Sequence, residues 1–378
     1  MSTPPSSQPA GVVMLNRHAD GGRALALRRP IEAWLARHAP GVALLVPDSP
    51  DAALATLAIL AVRTRVVLVG GDGTLQRMLP ALMRCGHRVG LIAAGRHNDV
   101  ARALGIAGLG WREALPYALH APTAAVDLGQ YETESDTRHF VGRLSVGLAA
   151  RQDLLARDLP RWWPLGVRQL ASGLAARASG SRQTLKAWVN GQLEHDGPAW
   201  SLSVCNASGA LGGLLLAPHA RLDDHRLDTL VLGEAGPAVL WRLRRGRHIH
   251  PPQISLHNTR KLLVDAPQPL AITIDGEPQT PTTRFSARVL PRALHVVGAH
   301  MLGVPSSERS ADIARNAQAL RAQDAAHRGA HHGDTPRERA LGHGLPLEPA
   351  PDPNPPPSTF PVPLQDEQPE GAAPSGRR

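Results

Sequence analysis

The sequence predicts a doubly wound α/β nucleotide-binding domain followed by a mainly antiparallel β-sandwich domain. Three observations carry this. In the first third of the chain, short unbroken apolar runs alternate with amphipathic stretches, as in a parallel sheet covered on both faces. One of those runs empties into Gly70-Gly71-Asp72-Gly73-Thr74. After about Pro122 the segments become shorter and often alternate, with glycine, proline and aspartate between them.

Taken in order, residues 1–10 are read as a disordered N-terminus and residues 11–122 as the α/β domain. Within it, Val12–Leu15 reads as a strand, Arg23–His38 as a helix and Val42–Val46 as a strand. Asp51–Val62 reads as a helix, Arg65–Val69 as a strand and Leu75–Cys85 as a helix. Arg88–Ala93 is a further strand and Asn98–Leu104 a further helix. In such a sheet, ligands bind beyond the carboxyl ends of the strands. Residues 123–300 are read as the β-rich domain, with strands expected at Phe140–Leu148, Thr184–Val189, Trp200–Cys205 and Leu227–Leu232. Ile254–Leu256, Lys261–Val264, Ala271–Ile274 and Leu294–Val297 continue the series, and Arg161–Ala178 interrupts it as a helix carrying Trp162 and Trp163. Residues 301–378 are read as a linker with a short basic helix at Ser310–Ala326 and a tail. From Pro346 to Arg378 that tail has 11 prolines in 33 residues, too proline-rich to build a core.

Composition removes several function classes. The richest apolar stretch, Ala52–Val62, is eleven residues long; crossing a bilayer takes roughly 18. The start, Met1 to Ala10, has neither a basic beginning nor an apolar middle, so no secretory signal is expected. With Cys85 and Cys205 alone, a disulfide framework or four-cysteine zinc site is excluded, and a cytoplasmic protein fits. The net charge of +9 comes almost wholly from arginine spread along the chain, which argues against a nucleic-acid partner while leaving an attraction to anionic lipid headgroups. Neither lysine, Lys186 or Lys261, follows a glycine, so there is no P-loop.

The segment Val66–Leu75 carries the clearest chemistry. A buried strand meets a glycine-rich turn that opens a helix; the glycines let a ligand approach the backbone, and the helix N-terminus offers N–H groups to phosphate oxygens. Asp72 is placed to orient a ribose, a phosphate-bound water or magnesium, and Thr74 is read as the helix N-cap.

This segment resembles the nucleotide-binding motif shared by diacylglycerol and sphingosine kinases, NAD kinases and phosphofructokinases. Gly95-Arg96-His97-Asn98-Asp99 resembles the lipid-kinase motif Gly-Thr-x-Asn-Asp. Cys205-Asn206, Gly212-Gly213 and Ala217-Pro218-His219-Ala220 resemble the Asn, Gly-Gly and Pro-x-Ala series that follows, and Leu222–Asp228 resembles Asp-Gly-Leu-Leu-Asp. Asp275-Gly276-Glu277 matches Asp-Gly-Glu. Together these cover residues 11 to 298 and identify the chain as similar to the bacterial soluble branch of the diacylglycerol kinase catalytic-domain family, with an NAD kinase/diacylglycerol kinase-like fold.

The resemblance implies an ATP- and Mg2+-dependent lipid kinase working in a cleft between the domains, transiently peripheral to the inner face of the membrane. Glu277 would be the general base and Asp72 would act with it. Gly70, Gly71, Asp72, Gly73, Thr74, Gly95, Arg96, Asn98 and Asp99 would form the nucleotide site. A supporting magnesium would sit on Asp224 and the carbonyls of Arg221 and Arg226, although Asp223-Asp224 also reads as a solvated turn. Asp275-Gly276 reads equally as a hairpin turn. Two alternatives stand beside the kinase: an NAD kinase-like enzyme, and a nucleotide- or lipid-binding relative with impaired transfer. A homodimer is left open.

Departures from the family pattern concern the nucleotide contacts. Arg96 replaces the threonine, either pairing with a phosphate or filling the adenosine pocket; Ala93 replaces a proline, and Val46 stands near a second ATP-contacting threonine. The opening signature survives only as Asn16 and Gly21. His248 and His250, and the run Arg242–Arg247, read as surface features. Trp162 and Trp163 are open between membrane interface and core.

Overall fold

A computed structural model describes residues 10–95, 98–160, 162–208, 210–211, 214–233, 236, 239 and 254–298, the side chains at 165, 210–211 and 214–215 excepted. All lie within one unit, Met1–Ala330. The first part holds β1 (Gly11–Leu15), a 3-10 segment (Ala19–Leu27), α1 (Arg28–His38), β2 (Val42–Leu45), α2 (Pro50–Ile59) and β3 (Arg65–Gly70). It continues through α3 (Asp72–Arg84), β4 (Arg88–Ala93), α4 (Asp99–Ala103) and α5 (Trp111–His120).

Strands β2, β1, β3 and β4 pair in parallel in that order. Because successive strand side chains point to opposite faces, Val66 and Leu68 of β3 enter one core with Leu57, Leu79 and Leu82. Val67 and Val69 enter the other, with Ile31, Leu35 and Leu115. Both faces are covered, as the continuous apolar runs predict. The expected helix from Arg23 begins as α-helix only at Arg28, since Asp20, Gly21 and Gly22 adopt positive φ and hold the preceding segment in tighter turns. Helix α5 has no counterpart in the sequence reading: Pro116 lies inside it and glycines precede it. It packs so tightly on β4 that a Cβ on Gly90 would lie 2.6 Å from that of Ala118.

The second part runs β5 (Thr123–Glu132), β6 (Thr137–Phe140), β7 (Arg143–Gly147), α6 (Leu148–Asp158), α7 (Leu165–Ser179), β8 (Gln183–Val189), β9 (Gln192–Ala199) and β10 (Ser201–Cys205). Then follow β11 (Ala210–Leu211), β12 (Leu214–Leu215), β13 (Leu227–Leu232), β14 (Ile254–Thr259), β15 (Lys261–Leu270), β16 (Ile272–Ile274), β17 (Glu277–Pro278) and β18 (Thr282–Val297). An antiparallel sheet β14-β13-β10-β7-β16-β17 faces strands β18, β15, β8 and β9 across a core of Tyr131, Phe140, Val146, Leu202, Val264 and Phe285. The long β18 joins the two parts: His295 and Val296 pair in parallel with Arg88 and Val89 of β4, so one ten-stranded sheet runs through both.

Two expectations are corrected here. Phe140–Leu148 is not one strand, because the N–H groups of Val141, Gly142 and Arg143 turn to the Asp275 carboxylate and leave the ladder. The helix expected from Arg161 starts after Pro164, and α6 precedes it as a separate helix. Arg96, His97, Arg161, Gly212, Gly213, Arg242–Arg247, His248, His250, the expected helix Ser310–Ala326 and the proline-rich tail lie outside the described residues. Among the described residues, no helix is long and apolar enough to cross a membrane.

Candidate active site

The site begins where β3 ends. Gly71 is extended at φ −109° and ψ −171°, and α3 starts immediately afterwards at Asp72. The backbone of the neighbouring loop presses on it: a Cβ on Gly71 would lie 2.7 Å from the Gly95 Cα, so neither glycine tolerates a side chain. Thr74 is therefore not the N-cap expected of it. The chain turns helical two residues earlier, Gly71 caps α3, and the Thr74 hydroxyl accepts a hydrogen bond from Asn16 Nδ2 at 2.8 Å. A Cβ on Gly70 would strike that hydroxyl at 2.5 Å.

Asp72 clamps the two loops together. Its Oδ2 accepts from Asp99 N at 2.9 Å and its Oδ1 from Val100 N at 3.0 Å, so it caps α4 from a different loop. Burial raises its pKa, the nearby Asp99 adds to this, and the two N–H donors oppose it. Asn98, in the left-handed region at φ 54°, closes its own loop: Oδ1 accepts from Gly95 N and Nδ2 donates to Gly95 O, both at 2.9 Å. The Asp99 carboxylate pairs with Arg102.

Opposite stands the turn between β16 and β17. Asp275 (φ 47°) and Gly276 (φ 80°) form a tight hairpin, pairing Ile274 with Glu277. Asp275 fixes this turn to residues 141–143 through three backbone N–H donors at 2.8–3.0 Å. Burial outweighs those donors, and with the Asp72 charge it pushes the Asp275 pKa up to about 7. Glu277 points across the gap: its Oε1 lies 3.0 Å from where a Gly73 Cβ would be. Its Oε2 is 3.0 Å from Arg157 Nη1 and 3.8 Å from Arg77 Nη2. The hairpin and the glycine loop thus share one cleft of about 300 Å³, lined also by Asn16, Thr74, Gly95 and Asp99.

The far wall comes from α6 and β7. Arg143 Nη2 meets Asp153 Oδ1 at 2.7 Å with both side chains nearly buried, and Thr273 donates to the other Asp153 oxygen at 2.8 Å. Cys205 lies there too, but burial pushes its pKa up to about 12, so it remains a thiol and no nucleophile.

Asp224, Arg221 and Arg226 lie elsewhere. Asp224 Oδ1 accepts from Arg226 N at 3.1 Å, while the Arg221 side chain pairs with Asp223. His225 takes positive φ (62°), and its N–H donates to Asp127, a fully buried carboxylate that also accepts from Arg292 N at 2.8 Å. Among the described residues, no group of three His, Cys, Asp or Glu side chains is placed to hold a metal.

Comparison with known proteins bears on what this cleft is. Residues 10–131 match the family model described as diacylglycerol kinase catalytic domain, and residues 142–298 match the YegS C-terminal NAD kinase beta sandwich-like domain. A protein of Pseudomonas fluorescens named "Probable lipid kinase YegS-like" is 31% identical over 253 residues, 63% of this chain and 79% of the relative. The chain belongs to the diacylglycerol kinase catalytic-domain family. A Shewanella frigidimarina protein of the same name, "Probable lipid kinase YegS-like", is 28% identical over 244 residues, covering 62% of this chain and 76% of its own. A crystal structure of a diacylglycerol kinase from Bacillus anthracis shares the fold, with a TM-score of 0.58 and 19% identity over 77% of this chain and 98% of that one. Family membership makes the chain a kinase of the lipid-kinase type.

Within the family frame, Asn16 gains a role. The residue left from the opening signature braces Thr74 beside the glycine loop. Arg143, Gln152, Asp153 and Arg157 are among the cleft residues that carry no sequence motif. The last three share α6 at positions i, i+1 and i+5, a spacing that ordinary solvated helices also show. Only the fold reveals that Arg157 meets Glu277.

Proposed function

We propose that the protein transfers the γ-phosphate of ATP to a hydroxyl of diacylglycerol or a related lipid at the inner membrane face. The observation that carries this is the Glu277 carboxylate lying against Gly73 of the glycine loop, in one cleft. The loop Gly70–Thr74, clamped to the start of α4 by Asp72, offers the positive end of α3 to the nucleotide phosphates. Glu277 takes the proton from the lipid hydroxyl. The hydroxyl oxygen bonds to the γ-phosphorus, the bond to the β-phosphate oxygen breaks, and ADP leaves. Arg77 and Arg157, beside Glu277, neutralise charge that builds on the transferring group.

Magnesium fits this donor set as an ion carried largely by phosphates and waters, with the Asp99 carboxylate, at the start of α4, on the cleft wall; when bound it would screen the phosphate charges. A second, structural magnesium would use Asp224 with the carbonyls of Arg221 and Arg226. What supports that reading is the tight turn, in which Asp224 Oδ1 lies 3.1 Å from the Arg226 backbone nitrogen.

The test incubates the protein with ATP labelled at the γ-phosphate and a total lipid extract, with Asp72→Ala as control. Label is expected in a phosphorylated lipid with the natural protein and not with the variant. Label entering NAD instead would favour the NAD kinase-like alternative; ATP binding without transfer to any lipid would leave only a binding relative.

A further inference from the structure

Helix α7 is amphipathic in the wrong sense for a water-covered helix. Up to Ala178 its exposed positions are Gly166, Val167, Leu170, Leu174, Ala175 and Ala178, all without charge, whereas Arg168 and Ser172 are buried. Val167, Leu170 and Leu174 are 48%, 51% and 63% exposed, and Trp162, just before the helix, is 82% exposed. A solvated helix turns such side chains inward and its arginine outward. Here the polar side is used for packing on α6: Arg168 donates to Ala156 O at 2.7 Å, and Gln152 donates to Gln169 O at 3.3 Å. The other side of the same helix pair lines the cleft through Gln152, Asp153 and Arg157.

We propose that the outer face of α7, led by Trp162, Val167, Leu170 and Leu174, docks the protein on an anionic bilayer and sets the cleft at the headgroup level. Charge favours this occupant. Of the six arginines in residues 148–182 (151, 157, 161, 168, 177, 182), Arg168 is buried and Arg157 pairs with Glu277, which leaves four against Asp158, the one aspartate of the segment not paired with Arg143. No acidic residue occurs on α7. The tryptophan at the edge of an aliphatic face suits the zone between acyl chains and water. Size disfavours a second copy of the chain: a stable protein–protein contact takes about 20–30 residues a side, whereas a few exposed aliphatic and aromatic side chains suffice to hold a helix at a lipid interface. The purpose given to docking rests on the lipid-acceptor reading above; the surface itself does not.

The full chain is sedimented with vesicles of equal parts phosphatidylcholine and phosphatidylglycerol, beside the double variant Leu170→Gln/Leu174→Gln. Partition into vesicles is expected to fall at least about tenfold in the variant, with thermal unfolding unchanged. Natural protein minus Trp162→Phe should give an emission difference that shifts to the blue when vesicles are added. Transfer to a dispersed short-chain diacylglycerol should survive the double substitution, while transfer to vesicle-embedded diacylglycerol falls. Natural protein that ignores these vesicles, or a variant that binds them equally well, overturns the proposal. So does a homodimer that the substitutions dissociate without changing vesicle binding. If the variant loses vesicle binding but neither protein phosphorylates any lipid, docking stands and the kinase reading fails.

Discussion

Asp275 shows how one side chain can serve two parts of the molecule. Its carboxylate takes three N–H donors from residues 141–143, and this anchors the hairpin that carries Glu277. Burial there pushes its pKa up to about 7. The folded state therefore holds a proton that the unfolded chain has lost. This contribution to stability is full at pH values below the ordinary carboxylate range and disappears as pH rises through about 7. Urea midpoints measured across that window should fall with rising pH in the natural protein, and the slope should flatten in Asp275→Asn; parallel slopes would contradict the assignment. Arg143 and Asp153 pose a different test. Their pair is nearly buried, so Asp153→Ala leaves a guanidinium without its counter-charge and should cost about 3–5 kcal/mol in denaturant unfolding. A loss below about 1 kcal/mol would place the pair with solvated surface ion pairs. Asp275 was legible from Asp-Gly-Glu; Asp153 was not, because its partner lies on a strand and nothing local distinguishes it from a surface aspartate.

At the level of elements, the strand–loop–helix unit of β3 and α3 could be read from the sequence because all its causes are contiguous: an apolar run, two glycines, then an amphipathic helix. The same locality hides its cap. Thr74 looks like a cap until Asn16, from another strand end, is seen to hold its hydroxyl. The close approach of Gly71 to Gly95 is likewise invisible along the chain. Gly71→Ala would drive a methyl into the opposing backbone at 2.7 Å. A destabilisation of about 1–3 kcal/mol is expected, together with weakened ATP binding measured by calorimetry. Natural stability and affinity in that variant would mean that the loops do not need to touch. Helix α5 leaves no local signal for the opposite reason: Pro116 signals a break, but the packing of Ala118 on Gly90 outweighs it.

For the whole molecule, alternating texture separated the α/β part from the β-rich part, and the fold agrees. What texture could not show is that β18 returns to β4 and makes the two parts one sheet. Pairings between distant segments leave no periodic trace in either strand. That return has a functional consequence, since it fixes the sandwich, and with it the Asp275–Glu277 hairpin, against the glycine loops. In the mechanism proposed above, transfer depends on a carboxylate and a phosphate cradle from distant segments of the chain acting in one cleft. The most direct measurement is the rate of phosphate transfer to lipid by Glu277→Gln at saturating ATP. A fall of about 10²–10⁴-fold, with ATP affinity and thermal unfolding unchanged, is expected of a lost base. Transfer within about threefold of the natural rate would instead mean that the proton leaves by another route and that Glu277 only lines the cleft.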